Sequence, residues 1–164
     1  MKKLIGIIIF TIAEFAALVG WLALVLSNRN VLGIVVLAAG LILEHFLSFR
    51  TLVGKKFPVL RLAIISISES AIWIVWLILA RSNPIAGFVF LVVAMFFQHS
   101  IERNVFNGKG FFDDLIKGEV VLFTIVEAIA AALWLNFVLN NDNLVGALIL
   151  AAGLLVEHLI QSRQ

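Results

Sequence analysis

Apolar residues run almost without interruption through six stretches of this chain, roughly Leu4 to Leu26, Val31 to Ser48, Val59 to Ala80, Ile85 to Ile101, Glu119 to Leu139 and Leu144 to Ile160. Each is near the ~20 residues (range ~17 to 25) that an α-helix needs to cross a hydrocarbon core of ~30 Å. The polar breaks between them are of two kinds. Three are short and rich in turn-forming residues: Ser27-Asn28-Arg29-Asn30, Arg81-Ser82-Asn83-Pro84 and Asn140-Asn141-Asp142-Asn143, with Pro84 pre-setting the start of its helix. Two are longer and charged, Phe49 to Pro58 and Glu102 to Lys117. The pattern predicts three helical hairpins in series, forming one all-α membrane domain over residues 1–164.

The hairpins are copies of one another. Leu43-Glu44-His45-Phe46 returns as Phe97-Gln98-His99-Ser100 and as Val156-Glu157-His158-Leu159, and these hold the only three histidines of the chain. About 30 residues before each stands a second recurring element: Thr11-Ile12-Ala13-Glu14, Ser66-Ile67-Ser68-Glu69 and Thr124-Ile125-Val126-Glu127. Counted from the glutamate of that element, each repeat has a hydroxyl at minus 3 (Thr11, Ser66, Thr124) and a tryptophan at plus 7 (Trp21, Trp76, Trp134). An asparagine follows at plus 14 (Asn28, Asn83, Asn141), and repeat two is one residue shorter at its tip. The returning helix carries Gly33, Gly87 and Gly146, then Gly40, Ala94 and Gly153, then Glu44, Gln98 and Glu157. Repeats spanning approximately 4–49, 59–103 and 118–162 predict a pseudo-threefold arrangement about an axis normal to the membrane. All hairpins would then share one orientation, unlike the inverted repeats of many transporters.

Helical periodicity gives these positions faces. Offsets of minus 3, 0 and plus 7 share one stripe of the outgoing helix, so hydroxyl, glutamate and tryptophan lie together. On the returning helix the two small residues and the acid or amide are 7 and 4 apart, again one stripe, where backbones are expected to approach closely. The same small-residue faces would also suit contacts between protomers, so a homo-oligomer is compatible with the sequence. Glu14 and Glu44 each lie about 14 residues from the first tip, which at ~1.5 Å per residue is roughly 21 Å. The other hairpins count alike, and the ionisable groups of all three are expected at one depth.

Composition supports the membrane assignment: 63% of residues are hydrophobic and 13% charged, with a mean hydropathy of +1.14. That leaves too little polar surface for a water-soluble domain of this size. The absence of cysteine excludes disulfides, thiolate catalysis and Cys-ligated clusters. Met1-Lys2-Lys3 before an apolar run is similar to a secretory leader, but the run continues past Glu14 without a small-residue cleavage site, so a retained first span is expected. Ten of the twelve basic residues, Lys2, Lys3, Arg50, Lys55, Lys56, Arg61, Arg103, Lys109, Lys117 and Arg163, lie at the termini or along the long connections. Only Arg29 and Arg81 lie at the tips. Both termini are therefore expected to be cytoplasmic and the three tips outside. Topology accounts for the basic residues, and no nucleic-acid partner is implied. The stretch Phe106 to Phe112 with Asp113 and Asp114 has glycines too few for a phosphate loop and reads as a turn before the fifth span.

The chemistry lies in the polar layer. A charged group at membrane depth costs ~2.5 to 3.5 kcal/mol even on lenient insertion scales, so five glutamates there must be neutralised. A bound divalent cation does so directly, and mixed carboxylate and imidazole ligands suit Fe, Mn or Zn. The candidate metal ligands are Glu14, Glu44, His45, Glu69, His99, Glu127, Glu157 and His158. Thr11, Ser66, Gln98 and Thr124 are candidates to hold the carboxylates by hydrogen bonds. The ligand types match di-metal carboxylate bundles, although the Glu-x-x-His spacing of those sites is absent. Such a centre would act on a lipid-soluble substrate or move metal. The same groups would alternatively relay protons or cations, give haem an axial histidine in a pocket lined by the 14 phenylalanines, or simply bond helix to helix at ~0.6 kcal/mol each. The tryptophans are expected at the outer interface and the tip asparagines as helix caps. Beyond this layer, Ser68 and Ser70, few polar residues are expected inside the spans.

Overall fold

In the computed structural model, residues 2–54, 59–113 and 117–162 are described. They form α1 (Lys2–Leu26), α2 (Asn30–Leu52), α3 (Val59–Ser82), α4 (Pro84–Phe106), α5 (Gly118–Leu139) and α6 (Asn143–Gln161), with no strand among the described residues. All six helices are long and apolar enough to cross a membrane. Lys55, Lys56, Asp114 and Arg163, which entered the expectations for topology and for the second long connection, lie outside the described residues, as does the Lys2 side chain. The helices group into two compact units, Met1–Ser70 and Ala71–Gln164, with the division falling inside α3. Two helices run further than the apolar pattern suggested. α2 continues to Leu52 and α4 to Phe106, so Glu102, expected in a connection, lies inside α4, four residues before its last residue.

The tips show why the hairpins turn where they do. Asn28 and Asn141 are not side-chain caps as expected; they adopt left-handed backbones, with φ of 60° and 64°. Each ends its helix with the paired bonds of a Schellman turn, Asn28 N to Val25 O with Arg29 N to Leu24 O, and Asn141 N to Val138 O with Asp142 N to Phe137 O. Asparagine suits this because its short polar side chain tolerates the left-handed region. The second tip, one residue shorter, lacks that turn. There Asn83 is extended and its side chain accepts from Ala86 N at 3.1 Å, with Pro84 opening α4.

Small residues set the spacing within each hairpin. A Cβ added at Gly40 would overlap the Ala17 Cβ, and one at Gly153 would overlap the Ala130 Cβ. Nearer the tips, a Cβ at Gly33 would stand 3.2 Å from Trp21 O, one at Gly146 would stand 3.1 Å from Trp134 O, and one at Gly87 would fall 2.6 Å from Ala80 Cα. The expected close approach of backbones therefore occurs inside the hairpins. Repeat two departs from the pattern, with Ala94 in place of the second glycine and Ile72 where the others have Ala17 and Ala130.

The tryptophans are a correction. Trp21, Trp76 and Trp134 are buried, 1, 1 and 2% exposed, rather than sitting as interfacial anchors. The tip glycines make this possible: without a side chain at Gly33 or Gly146, the facing turn closes on the backbone of the tryptophan itself. Trp76 also meets Trp73 edge to face, with ring centroids 5.3 Å apart.

Replacing Gly153 by valine should force α5 and α6 apart and cost about 1 to 3 kcal/mol, read as a lowered thermal midpoint in detergent. Gly118→Ala, where an added Cβ meets nothing within 4 Å, should leave the midpoint unchanged. Equal midpoints for the two variants would mean that the glycine seam does not set the hairpin spacing.

Candidate metal centre

Each unit gathers a histidine of one hairpin against the hydroxyl and glutamate of the next. In the first unit, His45 on α2 presents Nε2 to Glu69 Oε2 of α3 at 3.3 Å. Its Nδ1 is ringed by acceptors: Leu41 O at 2.8 Å, Ser66 Oγ at 3.2 Å and Glu44 Oε2 at 3.1 Å. Ser66 donates its own proton to Leu62 O at 2.9 Å, which leaves a lone pair for the imidazole. A nitrogen facing a backbone carbonyl and an already committed hydroxyl must carry the proton. In a neutral ring, the Nε2 lone pair is therefore aimed at a carboxylate oxygen.

The second unit repeats the arrangement with a different donor set. His99 on α4 meets Thr124 Oγ1 of α5 through Nδ1 at 2.9 Å, and the adjacent Phe123 ring packs against the imidazole at 4.8 Å between centroids. Its Nε2 stands 3.2 Å from Glu127 Oε2 of α5 and 3.7 Å from Glu157 Oε1 of α6. Ligand atoms of His99, Glu127 and Glu157 all lie within 4.8 Å of one another, and the three residues are buried. Two ligands held at ~2.0 to 2.2 Å on a tetrahedral metal lie ~3.4 Å apart. The observed separations of 3.2 to 3.7 Å bracket that value and are longer than the ~2.9 Å usual for N–H···O bonds. One nitrogen and two oxygens from three helices suit a borderline cation such as Zn, Fe or Mn.

Comparison with known protein families, with curated proteins and with solved structures finds no match for this chain.

The candidate residues are all buried, but not all in the roles expected. Glu14 and Thr11 on α1, Gln98 on α4 and His158 on α6 are 3 to 6% exposed, like the groups above. The hydroxyls were expected to hold carboxylates. Ser66 and Thr124 instead meet the Nδ1 atoms of His45 and His99, while Thr11 donates to Ile7 O of its own helix at 2.8 Å. The expectation of few further polar groups is corrected as well. Ser48, Ser100, Glu102 and Asn104 are buried near the ends of α2 and α4. Gln161 Nε2 donates to Glu102 Oε1 at 3.0 Å. The repeat carries a signal for this second step, because Ser48, Glu102 and Gln161 all stand three residues after a histidine.

An apolar cavity of about 410 Å³ opens between α4 and α5, lined by Val92, Val93, Phe96, Phe97, Val121, Thr124 and Ile125. Its single polar lining residue is Thr124, the one that meets His99.

Thr124→Val removes the hydroxyl from His99 Nδ1, and a double-mutant cycle with His99→Ala should return a coupling of about 0.6 to 1.7 kcal/mol in detergent unfolding. Thr124→Ser should restore it. A coupling of zero would detach Thr124 from the histidine.

Proposed function

We propose that this chain is an integral membrane protein that binds a divalent transition metal, Fe, Mn or Zn, through His99, Glu127 and Glu157. The observation that carries the reading is the convergence of these three buried side chains, with ligand atoms within 4.8 Å of one another. A cation there resolves an otherwise costly arrangement, since two carboxylates and an imidazole lone pair in hydrocarbon repel one another and lack water. In the first unit His45 faces Glu69 through Nε2 and Glu44 through Nδ1, on opposite sides of its ring, so these three do not converge on one point as the residues of the second unit do. Carboxylate oxygens, not open space for a planar macrocycle, stand before both Nε2 atoms, which favours an ionic metal over haem.

The sequence repeat extends this reading to Glu14, Thr11 and His158. If the three hairpins are related by a pseudo-threefold axis, these are the remaining copies of the same parts. The basic residues of the termini and long connections support cytoplasmic ends and outer tips. A catalytic use of the metal, with oxidative or hydrolytic chemistry on a lipid-soluble molecule, is favoured by the α4–α5 cavity that Thr124 helps to line. In that use the chain supplies an apolar bed for the substrate, and Thr124 holds the orientation of His99.

Mass-spectrometric metal analysis of the detergent-purified protein, with an absorption spectrum of the same sample, tests the reading. One or more equivalents of Fe, Mn or Zn are expected, falling at least tenfold in His99→Ala and in Glu127→Gln but unchanged in Ser68→Ala. The threefold extension further requires that His158→Ala lower the content. No metal, or metal unaffected by these changes, would overturn the assignment, and a Soret band would transfer it to haem.

A further inference from the structure

Below His99 and Glu157, toward the helix ends remote from the tips, the second unit has another polar rung. On α4, His99 and Glu102 are three residues apart, ~4.5 Å along the axis and on one face. On α6, Glu157 and Gln161 are four apart, again one face. The upper rung joins the two helices through His99 Nε2 and Glu157 Oε1 at 3.7 Å, and the lower through Gln161 Nε2 donating to Glu102 Oε1 at 3.0 Å. Glu102 is 5% exposed, Gln161 is half-buried, and α6 ends there. The rung thus lies between the buried site and the end of the unit.

Glu102 places a carboxylate one turn from His99 on the same face of α4, with its Oε1 held by Gln161. Its counterparts three residues after the other histidines, Ser48 and Gln161, are neutral. Repeat two lacks an acid at Gln98 and has one at Glu102, one turn nearer the helix end. We propose that Glu102, held by Gln161, is the loading group of the metal centre: it takes a divalent cation arriving at the α4 and α6 ends and hands it one turn up to Glu157 and His99. This rests on the metal-site reading above and adds to it a direction of entry and a hard oxygen ligand suited to a partly hydrated ion.

The test is the rate of metal uptake. Metal-stripped full-length protein in detergent is mixed with Co²⁺, a coloured stand-in for Zn²⁺, and the ligand-field absorption is followed to its plateau. Glu102→Gln, which keeps an acceptor for Gln161, should slow uptake at least tenfold while the plateau stays that of the native chain. Glu102→Asp should remain within threefold of the native rate, and Gln161→Leu should slow uptake by a smaller factor. Native rates in both Glu102→Gln and Gln161→Leu would overturn the loading role and leave the site intact. A lowered plateau in Glu102→Gln with an unchanged rate would make Glu102 a ligand and not a loading group. If Glu102→Gln does not fold, Gln161→Leu decides by the same rate. A native chain that takes up no Co²⁺ at all would overturn the site, and the loading role with it.

Discussion

The buried polar side chains of this protein answer to one constraint, the cost of placing an ionisable group away from water in an apolar helix bundle. That cost is ~2.5 kcal/mol or more per charge, larger than the ~0.6 kcal/mol that an interhelical hydrogen bond returns on average. Buried glutamates and histidines must therefore come in sets that satisfy one another or share a cation. The two units show such sets: His45 among Leu41 O, Ser66, Glu44 and Glu69, and His99 among Thr124, Glu127 and Glu157. Each set draws on successive hairpins, so the polar groups tie one hairpin to the next where apolar packing alone would leave their relation loose.

Within a hairpin the work is done by the absence of side chains. Gly40 against Ala17 and Gly153 against Ala130 allow the helices to approach closely, and Gly33 and Gly146 let the returning helix close over a tryptophan backbone. With no hydrophobic driving force between helices in lipid, such close backbone contact is the main source of association. It also keeps the two acids of a hairpin in register, because helices that cannot slide along the seam hold Glu127 of α5 beside Glu157 of α6. Repeat two, with Ala94 and Ile72 in the seam, Gln98 in place of an acid and Glu102 a turn further on, is where the copies diverge.

The six spans, the hairpin tips and the recurring hydroxyl, glutamate, glycine and histidine positions were all legible along the chain. Each follows from local rules: span length from bilayer thickness, turns from asparagine and proline, faces from the 3.6-residue period. The tertiary structure decided what one-dimensional spacing does not contain. Periodicity assigns a residue to a face but not to a partner, so the pairing of His45 and His99 with the next hairpin's glutamate, and of Ser66 and Thr124 with Nδ1, needed the helices in space. The same holds for Glu102, read from its charge as part of a connection and found buried in α4, where its bond to Gln161 offsets part of its burial. It holds too for Trp21 and Trp134, which an interfacial preference alone would place at the surface and which the facing glycines admit to the interior. Local sequence thus determined what each helix carries, and contact between helices, through close backbone approach and the need to neutralise buried charge, decided what each group meets.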